Sequence, residues 1–549
     1  MCRLTRSIVS GGAGSEEVLR TIMASSRSVF DLVVVGGTPA GIAMAVRASR
    51  EGLRVLLTNR GPHLGGMLTS GLGVWDTLLE GRRAPVYDEV RRMIQEHYRV
   101  TYGEGSPQQA ASIPARDGHR NGCFEPSVAE QVLNRLVTAE PGLTVWRDCE
   151  PTSVERSGAR VAAVHLGRSR RIEARVWGDC TYEGDFATLA GVACRVGRES
   201  REEHDEPHAG WVHVRPCQHP PSDSLAALAA RRESWPLRRF DAFSEPVVSA
   251  ASGKADRRIQ ACNYRTILCR DPGNRVPLEK PSGYSRSRIA GLEYESLVAP
   301  LPNGKASWNR PQLLGLQHDY PTGDEATRAC IRDAHWNATL ELLYFLQNDR
   351  LVPTEVRERW REYGLARDEF ADNGHRPYEF YLRESRRIVG RATLTQRDLL
   401  PRGPDDRSRT WADAIAAADW YVDVHACGPE RVGDSFFEGK MMLHVETVPG
   451  QVPYGAILPR NLDNLLVPVC LSATHLAHSA VRVEPTWMAL GEAAGFAAAQ
   501  AVQSDQPVAG ISVSRLRETL AANGLLLDAF NSLIPGGRTA VAGPCSYGL

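Results

Sequence analysis

The sequence predicts an α/β fold in which a largely parallel sheet is interrupted by an inserted α+β domain. Three observations support this prediction. Residues 30–57 alternate a short apolar strand, a glycine-rich turn, a helix and a second apolar strand. Buried strands of the same kind are expected again at residues 172–177 and 464–469. Between them, from about residue 198 to 423, proline, arginine and aromatic residues are frequent and clean periods are few.

The first strand, turn and helix have the spacing of a Rossmann-type dinucleotide-binding unit. The strand FDLVVV ends at Val35, the turn GGTPAG occupies residues 36–41, and a helix runs to Gly52 before the strand LRVLL. A tight glycine turn brings backbone N–H groups and the positive end of a helix dipole against a pyrophosphate. The strand–turn–helix–strand context therefore favours a dinucleotide site over an ordinary turn.

Two positions depart from the usual glycine fingerprint. Thr38 stands where the second glycine is expected, so the backbone approaches a phosphate less freely there. Asn59 stands at the end of the second strand, where an acidic residue usually binds the adenosine ribose. The Asn59 amide can still hydrogen-bond a hydroxyl group, but it carries no charge.

Small and polar residues follow two of the predicted strands. The stretch PHLGGMLTSGLGVWD at residues 62–76 contains four glycines, which allow close approach to a flat ring or a phosphate. A plain loop is the alternative interpretation. The sequence GDCTYEGD at residues 178–185 follows a strand, and α/β sheets bind ligands at that end of their strands.

Composition and charge argue against several classes of protein. The 549 residues include 65 basic and 65 acidic side chains, and no basic stripe predicts a nucleic-acid partner. The chain has no apolar run of about eighteen residues and no signal peptide, so we expect no membrane span and a cytoplasmic location. The 12 cysteines include no C-x-x-C pair, which argues against a zinc ribbon or a redox pair and favours reduced thiols.

Several motifs, in this order, resemble the FAD-dependent oxidoreductase family. They are VVVGGTPAGIAMAVRASREG, HLGGMLTSGLG, FEPSVAEQV, GDCTYEGDFATLAGV, YLRESRRIVG and NLLVPVCLSATHLAHSAVRVEPTWMALGEAAGFAAA. The resemblance runs from about residue 30 to 502 and extends to glutathione-reductase-type flavoproteins, with the fumarate reductase and succinate dehydrogenase flavoprotein subunits as distant kin. It implies a glutathione-reductase-like fold with FAD as the cofactor. Members of the family often carry Thr at the position of Thr38.

The resemblance also implies which residues contact FAD. The glycine turn would hold the pyrophosphate, Asn59 the adenosine ribose, and the stretch from His63 to Met67 would run beside the flavin. Asp179 would belong to the strand-end motif near the cofactor. The helix beginning near Pro485 would direct its N-terminus at the pyrimidine edge of the flavin and stabilise negative charge on the reduced ring. The expected FAD-binding residues are Gly36, Gly37, Thr38, Pro39, Ala40, Gly41, Asn59, His63, Gly65, Gly66, Met67, Asp179 and Pro485.

A histidine and arginine cluster after the late strand supplies the candidate catalytic residues. In CLSATHLAHSAVRVEP, His478 and Arg482 reproduce the H-x-x-x-R spacing of the fumarate reductase relatives, where both face the substrate. We expect His478 to transfer a proton or to hydrogen-bond the substrate, because imidazole titrates near neutral pH. Arg482 would bind an anionic or carbonyl oxygen, and His475 is a second candidate. The alternative is that these residues hydrogen-bond only the loop or the flavin.

Two other groups of polar residues have open roles. Asp423 and His425 fall on one face of a predicted strand and either reach the substrate or form a structural pair, which is the favoured interpretation. They offer no third metal ligand, and we expect no metal site. The arginines of YLRESRRIVG either face a substrate anion or, as we favour, pair with carboxylates; they are Arg383, Arg386 and Arg387.

The predicted function is hydride transfer between a polar small-molecule substrate and FAD, by a dehydrogenase or an oxidase. The sequence contains no second strand, glycine fingerprint and helix, so we expect no separate NAD(P)H-binding domain. The electron acceptor would then be oxygen, a quinone or another carrier. A flavin-dependent monooxygenase or halogenase is one alternative, and a non-catalytic flavin-binding protein is another. The expected organisation is a disordered tail at 1–28, an FAD-binding domain at 29–197 and 424–510, a substrate domain at 198–423, and a C-terminal helix and tail at 511–549.

Overall fold

The chain folds as a mixed α/β protein around a seven-stranded sheet in a computed structural model. The structure describes residues 29–530 apart from 80, 115–120, 168–169, 234, 236, 238–242, 248–251 and 299. The predicted tail at residues 1–28, and the part of the predicted C-terminal segment beyond residue 530, lie outside the described residues.

The strands are short, as expected for a chain whose apolar runs are brief. In chain order they are β1 (Val29–Val35), β2 (Val55–Thr58), β3 (Leu143–Trp146), β4 (Pro151–Ser157), β5 (Arg160–Leu166), β6 (Arg170–Asp179), β7 (Cys194–Arg195), β8 (His213–Cys217), β9 (Phe243–Val247), β10 (Thr266–Cys269), β11 (Arg275–Val276), β12 (Leu297–Val298), β13 (Lys305–Trp308), β14 (Gly364–Ala366), β15 (Arg387–Ile388), β16 (Ala414–Ala418), β17 (Val422–Val424), β18 (Met441–Leu443), β19 (Gly450–Pro453) and β20 (Leu465–Leu466). The run at residues 464–469, predicted as a full strand, pairs over only two residues.

The helices include each of those that the sequence predicts. In chain order they are α1 (Pro39–Arg50), α2 (Pro85–Tyr102), α3 (Pro107–Ser112), α4 (Pro126–Thr138), α5 (Asp185–Leu189), α6 (Asp223–Arg232), α7 (Arg286–Ile289), α8 (Glu325–Asn348), α9 (Thr354–Arg361), α10 (His475–Val481), α11 (Glu484–Gln503) and α12 (Val513–Ala522). Proline in the first turn of α1, α2, α4 and α11 costs no hydrogen bond there, because those N–H groups have no partner within the helix.

The large sheet has the strand order β3-β2-β1-β6-β5-β4, and β20 pairs with the end of β6. The pairs that join β1, β2, β3, β6 and β20 are parallel, whereas β4 and β5 form an antiparallel extension. A separate antiparallel sheet has the order β11-β14-β10-β13-β12 and packs against α8 and α9. Strands that precede and follow the second sheet in the chain therefore build the first one.

Helix α11 covers α1 at unusually close range. A β-carbon added at Gly491 would lie 2.1 Å from the carbonyl oxygen of Ala40, and one added at Gly495 would lie 2.7 Å from that of Met44. The guanidinium of Arg47 forms a buried ion pair with Glu492 at 2.6 Å. The two glycines lie four residues apart on α11 and therefore allow the late helix to pack against the first one.

Candidate functional site

A cavity of about 570 Å³ opens where β1, β2 and β6 end. Because these strands are parallel neighbours, their carboxyl ends lie at one edge of the sheet. Gly36 and Thr38 follow β1, Asn59 follows β2, and Thr181 follows β6 in the cavity wall. The volume lies within the range usual for cofactor sites. This is the edge at which the sequence predicts the dinucleotide.

The glycine turn is tight enough to exclude side chains. Gly36 has a φ of +102°, and a β-carbon there would lie 2.8 Å from the carbonyl carbon of Cys180. A β-carbon at Gly41 would lie 1.9 Å from the oxygen of Gly36. The Thr38 hydroxyl caps α1 by accepting the Gly41 N–H at 3.3 Å and donates to the Cys180 carbonyl at 2.8 Å. The departure at Thr38 thus adds a helix cap and a link to β6.

Asn59 lies in the cavity wall, but its side chain is occupied by the backbone. Its Oδ1 accepts the N–H of Gly37 at 3.0 Å, and its Nδ2 donates to the carbonyls of Gly61 at 2.9 Å and His63 at 2.7 Å. Both amide protons are therefore used. The structure shows a loop-ordering role that the sequence does not predict, since the partners lie on two separate segments.

The loop that begins at His63 is built around two glycines and one tyrosine. Gly65 and Gly66 have φ values of +102° and +51°. A β-carbon at Gly66 would lie 2.3 Å from the hydroxyl of Tyr182, which accepts the Met67 N–H at 3.0 Å. The imidazole of His63 stacks on Tyr378, with ring centroids 3.5 Å apart. Its two nitrogens contact the carboxylates of Glu130 and Asp372 at 2.8 and 3.0 Å.

Tyr182 connects this loop with the start of α11. Its hydroxyl donates to Oε1 of Glu484 at 2.5 Å, and Glu484 is the first residue of the helix, directly before Pro485. Burial raises the pKa of Glu484 to about 8, so its carboxyl is mostly neutral at pH 7. A neutral carboxyl leaves the positive end of the α11 dipole uncompensated. The ring of Trp487 lies between Tyr182, at 5.5 Å, and His478, at 6.3 Å.

Asp179 is fully buried at the end of β6 and orders the turn that follows it. Its carboxylate accepts from the N–H and hydroxyl of Thr181 at 3.0 and 2.7 Å, and from the N–H of Ala187 at 2.7 Å. Burial raises its pKa to about 6 although these donors oppose the rise. The residues after it, Thr181 to Glu183, reach the cavity. The structure therefore places Asp179 behind the cavity wall.

His475 begins α10 and belongs to a buried ion-pair network. Its Nδ1 contacts Oε2 of Glu384 at 2.8 Å, and its N–H donates to Glu199 at 2.9 Å. Although burial opposes ionisation, the charge of His475 and the nearby Arg387 lower the pKa of Glu384 to about 2. The guanidinium of Arg387 pairs with both carboxylates, Glu199 at 2.8 Å and Glu384 at 3.3 Å.

His478 on α10 and Arg482 directly after it are both buried. Arg482 donates to the hydroxyl of Tyr381 at 3.1 Å and to the backbone and side chain of Asp423 at 2.9 and 3.3 Å. Burial lowers the pKa of His478 to about 3, and Nδ1 of that imidazole has no partner among the described residues. His425 lies one residue beyond β17, with Nε2 3.8 Å from Oδ1 of Asp423. The structure thus brings His478, Arg482 and the Asp423–His425 pair together.

The three arginines of YLRESRRIVG separate into two kinds. Arg386 pairs with Asp185, and Arg387 pairs with Glu199 and Glu384. The guanidinium of Arg383 bonds only neutral oxygens in the described part of the chain: the carbonyl of Ala261 and the side-chain carbonyls of Asn263 and Asn309. The favoured prediction of carboxylate pairing holds for two of the arginines and is wrong for Arg383.

The cavity wall also contains charged residues that the sequence does not mark as candidates, Arg60 and Glu379 among them. Arg60 follows Asn59 directly and pairs with Glu183 at 3.1 Å. Burial raises the pKa of Glu379 to about 7. Arg60 lies beside the end of β2 and Glu183 lies within TYEGD, so the sequence around each residue could have predicted its position in the cavity wall. The other charged residues of the wall are Glu150, Asp185, Asp324, Glu325, Arg328 and Arg386.

Within the described ranges, no group of three or more His, Cys, Asp or Glu side chains is arranged to hold a metal ion. In the same residues, no helix combines the length and the apolar character that a membrane crossing requires.

The glycine turn, the first helix and the adjoining cavity define a dinucleotide-binding α/β protein. The model of the family described as "FAD dependent oxidoreductase" matches residues 31–520, and the chain belongs to this family. The protein is therefore an FAD-dependent oxidoreductase, and FAD is its cofactor. The residues present fit this cofactor, since the turn after β1 packs too closely for β-carbons at Gly36 and Gly41 and leads into the N-terminus of α1 beside the cavity.

Among solved structures, the chain is similar to several flavin enzymes at low identity. An anhydrotetracycline hydroxylase from Streptomyces rimosus has 16% identity and a TM-score of 0.23 over 36% of this chain and 39% of its own. A geranylgeranyl bacteriochlorophyll reductase-like protein from Thermoplasma acidophilum has 10% identity and a TM-score of 0.32 over 90% of this chain and 83% of its own. A myxobacterial chondrochloren halogenase has 19% identity and a TM-score of 0.22 over 34% and 43%. This chain thus spans well under half of the hydroxylase and of the halogenase. No curated protein matches the chain.

Proposed function

We propose that the protein transfers hydride between a polar small-molecule substrate and FAD, as a dehydrogenase or an oxidase. The bound FAD would supply the two-electron carrier. The observation that supports this proposal is the junction at Arg482. There, the segment between α10 and α11 contacts Tyr381 and Asp423 from two other parts of the chain. Two residues further on, Glu484 contacts Tyr182 in the cavity wall.

In this proposal, Arg482 orients the substrate. Asp423 and Tyr381 hold its guanidinium in place, and its Nε has no partner among the described residues. A fixed guanidinium in a water-poor site can bind a carbonyl or anionic oxygen without a large loss of side-chain entropy.

His478 is proposed to accept a hydrogen bond through Nδ1. Its lowered pKa makes the imidazole a weak base at neutral pH, which favours hydrogen bonding over proton storage. Of the two roles expected for His478, the structure supports the positioning role. His475 is held by Glu384 and Glu199 and is proposed to orient α10.

For the cofactor, we propose that the amides of the turn at residues 36–41 hold the diphosphate, and that the loop from His63 to Met67 and the N-terminus of α11 flank the flavin. Asn59 and Asp179 would act by ordering the loops that carry these contacts. We further propose a glutathione-reductase-like arrangement, with an inserted substrate domain at residues 198–423, because strands on both sides of that segment form the parallel sheet. The cytoplasmic location stays a prediction.

The proposal is tested with the purified holoprotein. Anaerobic addition of polar substrates, one at a time, should bleach the visible flavin band for at least one class. Isotopically labelled dioxygen separates the alternatives, since a label in the organic product would indicate a monooxygenase. If no substrate reduces the flavin, and the chemically reduced protein converts no substrate either, the protein binds flavin without this activity.

The variant Arg482→Ala tests the site assignment. We expect FAD to stay bound while turnover falls by about 100-fold, the size expected for losing a hydrogen-bonded charge in a buried site. Arg482→Lys is the matched variant, because it keeps the charge and loses the forked geometry. If Arg482→Ala has normal FAD content and keeps its turnover, neither substrate binding nor catalysis depends on this residue.

A further inference from the structure

Three guanidinium groups meet at the ring of Tyr381. The Cζ of Arg383 lies 4.2 Å from the ring centroid, and the Cζ of Arg265 lies 5.9 Å from it. Arg482 donates to the hydroxyl of the same tyrosine at 3.1 Å. All three arginines are buried, and Arg383 has no exposed surface. We call Arg265, Arg383 and Arg482 the arginine cluster.

Two members of the arginine cluster have no carboxylate partner in the described part of the chain. Arg383 is held by carbonyl oxygens only, at 2.7 to 2.9 Å. Arg265 donates from Nε to the Ser307 hydroxyl and from Nη2 to the Leu72 carbonyl, both at 3.1 Å. Burial, together with the like charges of the other two arginines, lowers the pKa of Arg383 to about 9. A guanidinium stays protonated at neutral pH, so the positive charge is retained without compensation.

This pattern differs from that of three other buried arginines. Arg83 pairs with Asp419, Arg198 with Glu438, and Arg387 with Glu199. Burying an unpaired charge is costly, and a carboxylate offsets that cost at these three positions. Arg265 and Arg383 have no such ion pair in the described part of the chain.

The groups around the arginine cluster add further positive charge and unused donors. Burial, together with the charges of Arg383, Arg482, Arg310 and Lys440, lowers the pKa of His425. The Nε atoms of Arg310, Arg383 and Arg482 are buried and have no partner among the described residues. The side chain of His425 is 13% exposed, so this side of the cluster is next to solvent.

Among the described residues, the carboxylates near the arginine cluster are fewer than the cations. Asp423 bonds Arg482, and Asp76 acts electrostatically on both Arg482 and Arg265. Arg310 is paired with Glu293 at 3.2 Å. In the described part of the chain, the three guanidinium groups thus face Asp423 and Asp76, and the Lys440 ammonium lies nearby, so an anionic group would reduce an excess of positive charge.

We propose that the arginine cluster binds a carboxylate group of the substrate, with Arg383 as the residue that selects for it. This inference rests on the proposed function, because it assigns the substrate class of the same site. A planar carboxylate can accept paired bonds from guanidinium groups, and charge-assisted bonds of this kind are strong where water is excluded. Arg383 and Arg265 would hold the carboxylate while Arg482 and His478 face the remainder of the substrate.

The test measures binding without turnover. The FAD-loaded protein is titrated with propionate, with the neutral isostere propionamide and with inorganic phosphate, and each titration is followed by the visible flavin spectrum and by the thermal midpoint. We expect saturable binding of propionate that is at least tenfold tighter than that of propionamide or phosphate. Equal binding of propionate and propionamide would overturn the proposal, and tighter binding of phosphate would overturn the carboxylate assignment.

Variants then assign the effect to the arginine cluster. Arg383→Gln keeps hydrogen-bonding capacity but removes the charge, and we expect it to weaken propionate binding by about tenfold or more. Arg91→Gln is the matched control, because Arg91 is also buried and lies 5.2 Å from the ring centroid of Tyr87, on α2. If Arg383→Gln does not fold, Arg265→Gln provides the second variant, since Arg265 belongs to the arginine cluster and bonds a hydroxyl and a carbonyl oxygen; we expect it, too, to weaken propionate binding.

Propionate binding that is unchanged in the folded variant at position 383, or lowered equally by Arg91→Gln, would overturn the role of Arg383. The two proposals fail separately. Propionate that binds to a protein whose flavin no substrate reduces would contradict the hydride-transfer function and leave the anion site standing. A flavin that is reduced only by uncharged substrates, with no binding of propionate, would contradict the anion site alone.

Discussion

Replacing Asn59 with aspartate tests whether this residue orders the cavity wall through backbone contacts. Aspartate is the kind of residue that the fingerprint usually carries at this position, so a simple sequence argument predicts equal or better FAD binding. The structure predicts the opposite. The Nδ2 of Asn59 donates to the carbonyls of Gly61 and His63, and a carboxylate would place an acceptor against both.

The magnitude follows from the two lost hydrogen bonds. Each is worth about 1 kcal/mol net, and each carbonyl left without a donor adds a desolvation cost, so Asn59→Asp should lower the free energy of unfolding by about 2–4 kcal/mol. Because the disturbed loop forms the cavity wall, about 1.4 kcal/mol of this should appear in FAD binding, as a tenfold higher Kd.

Asn464 provides a matched control. Its Oδ1 accepts the N–H of Val161, and its Nδ2 donates to the carbonyls of Val161 and Arg175, which is the same bonding pattern outside the cavity wall. Asn464→Asp should therefore lose similar stability in urea unfolding and keep the Kd for FAD, measured by flavin fluorescence. An Asn59→Asp protein that binds FAD as tightly as the unchanged protein would refute the reasoning, and so would equal weakening in both variants.

Three further predictions concern packing, pH dependence and the loop tyrosine. Gly491→Ala should lower the free energy of unfolding by about 1–3 kcal/mol because the new methyl group meets the Ala40 carbonyl, whereas Gly291→Ala, with no atom within 4 Å, should change little; equal losses in urea would contradict this. The pKa of His478 is about 6.5 in the unfolded chain and about 3 in the fold, so the fold favours the neutral imidazole. This preference stabilises the protein fully above pH 6.5, and the stabilisation is lost as the pH falls toward 3. His478→Asn should show a shallower fall of the urea midpoint across that window. Tyr182→Phe removes the hydrogen bonds to Met67 and Glu484, and FAD should dissociate about tenfold faster in stopped-flow fluorescence. An unchanged dissociation rate would show that Tyr182 does not contribute to FAD binding.

Local patterns predict much of the first unit and little of the buried polar networks. The strand, glycine turn and helix at residues 30–50 are confirmed because their signals, apolar runs and a turn that excludes side chains, are contained in neighbouring residues. The spacing of His478 and Arg482 places them one helical turn apart, on α10 and directly after it, for the same reason. The separate antiparallel sheet was not predicted strand by strand, because its strands are short and pair across long stretches of chain.

Partners distant in sequence decide the roles that the sequence left open. Arg383 and Arg387 are four residues apart, yet one meets only neutral oxygens and the other meets two carboxylates. Within YLRESRRIVG, only Glu384 is a partner, and it pairs with Arg387 three residues later. The other partners, Glu199 and Asn309, come from distant segments. Asn59 is similar: its fingerprint position predicts contact with the ribose, but the fold directs its amide to Gly61 and His63.

The close seating of α11 on α1 has a consequence for synthesis of the protein. The apolar surface of α1 is covered only after α11 has been synthesised. Helix α11 ends at Gln503, roughly 450 residues after α1 ends at Arg50. At ~5–20 residues per second, a ribosome needs roughly 20–90 s to deliver that helix. During this interval Ala40, Met44 and their neighbours lack the cover of α11, so the first βαβ unit cannot complete its packing until translation is nearly finished.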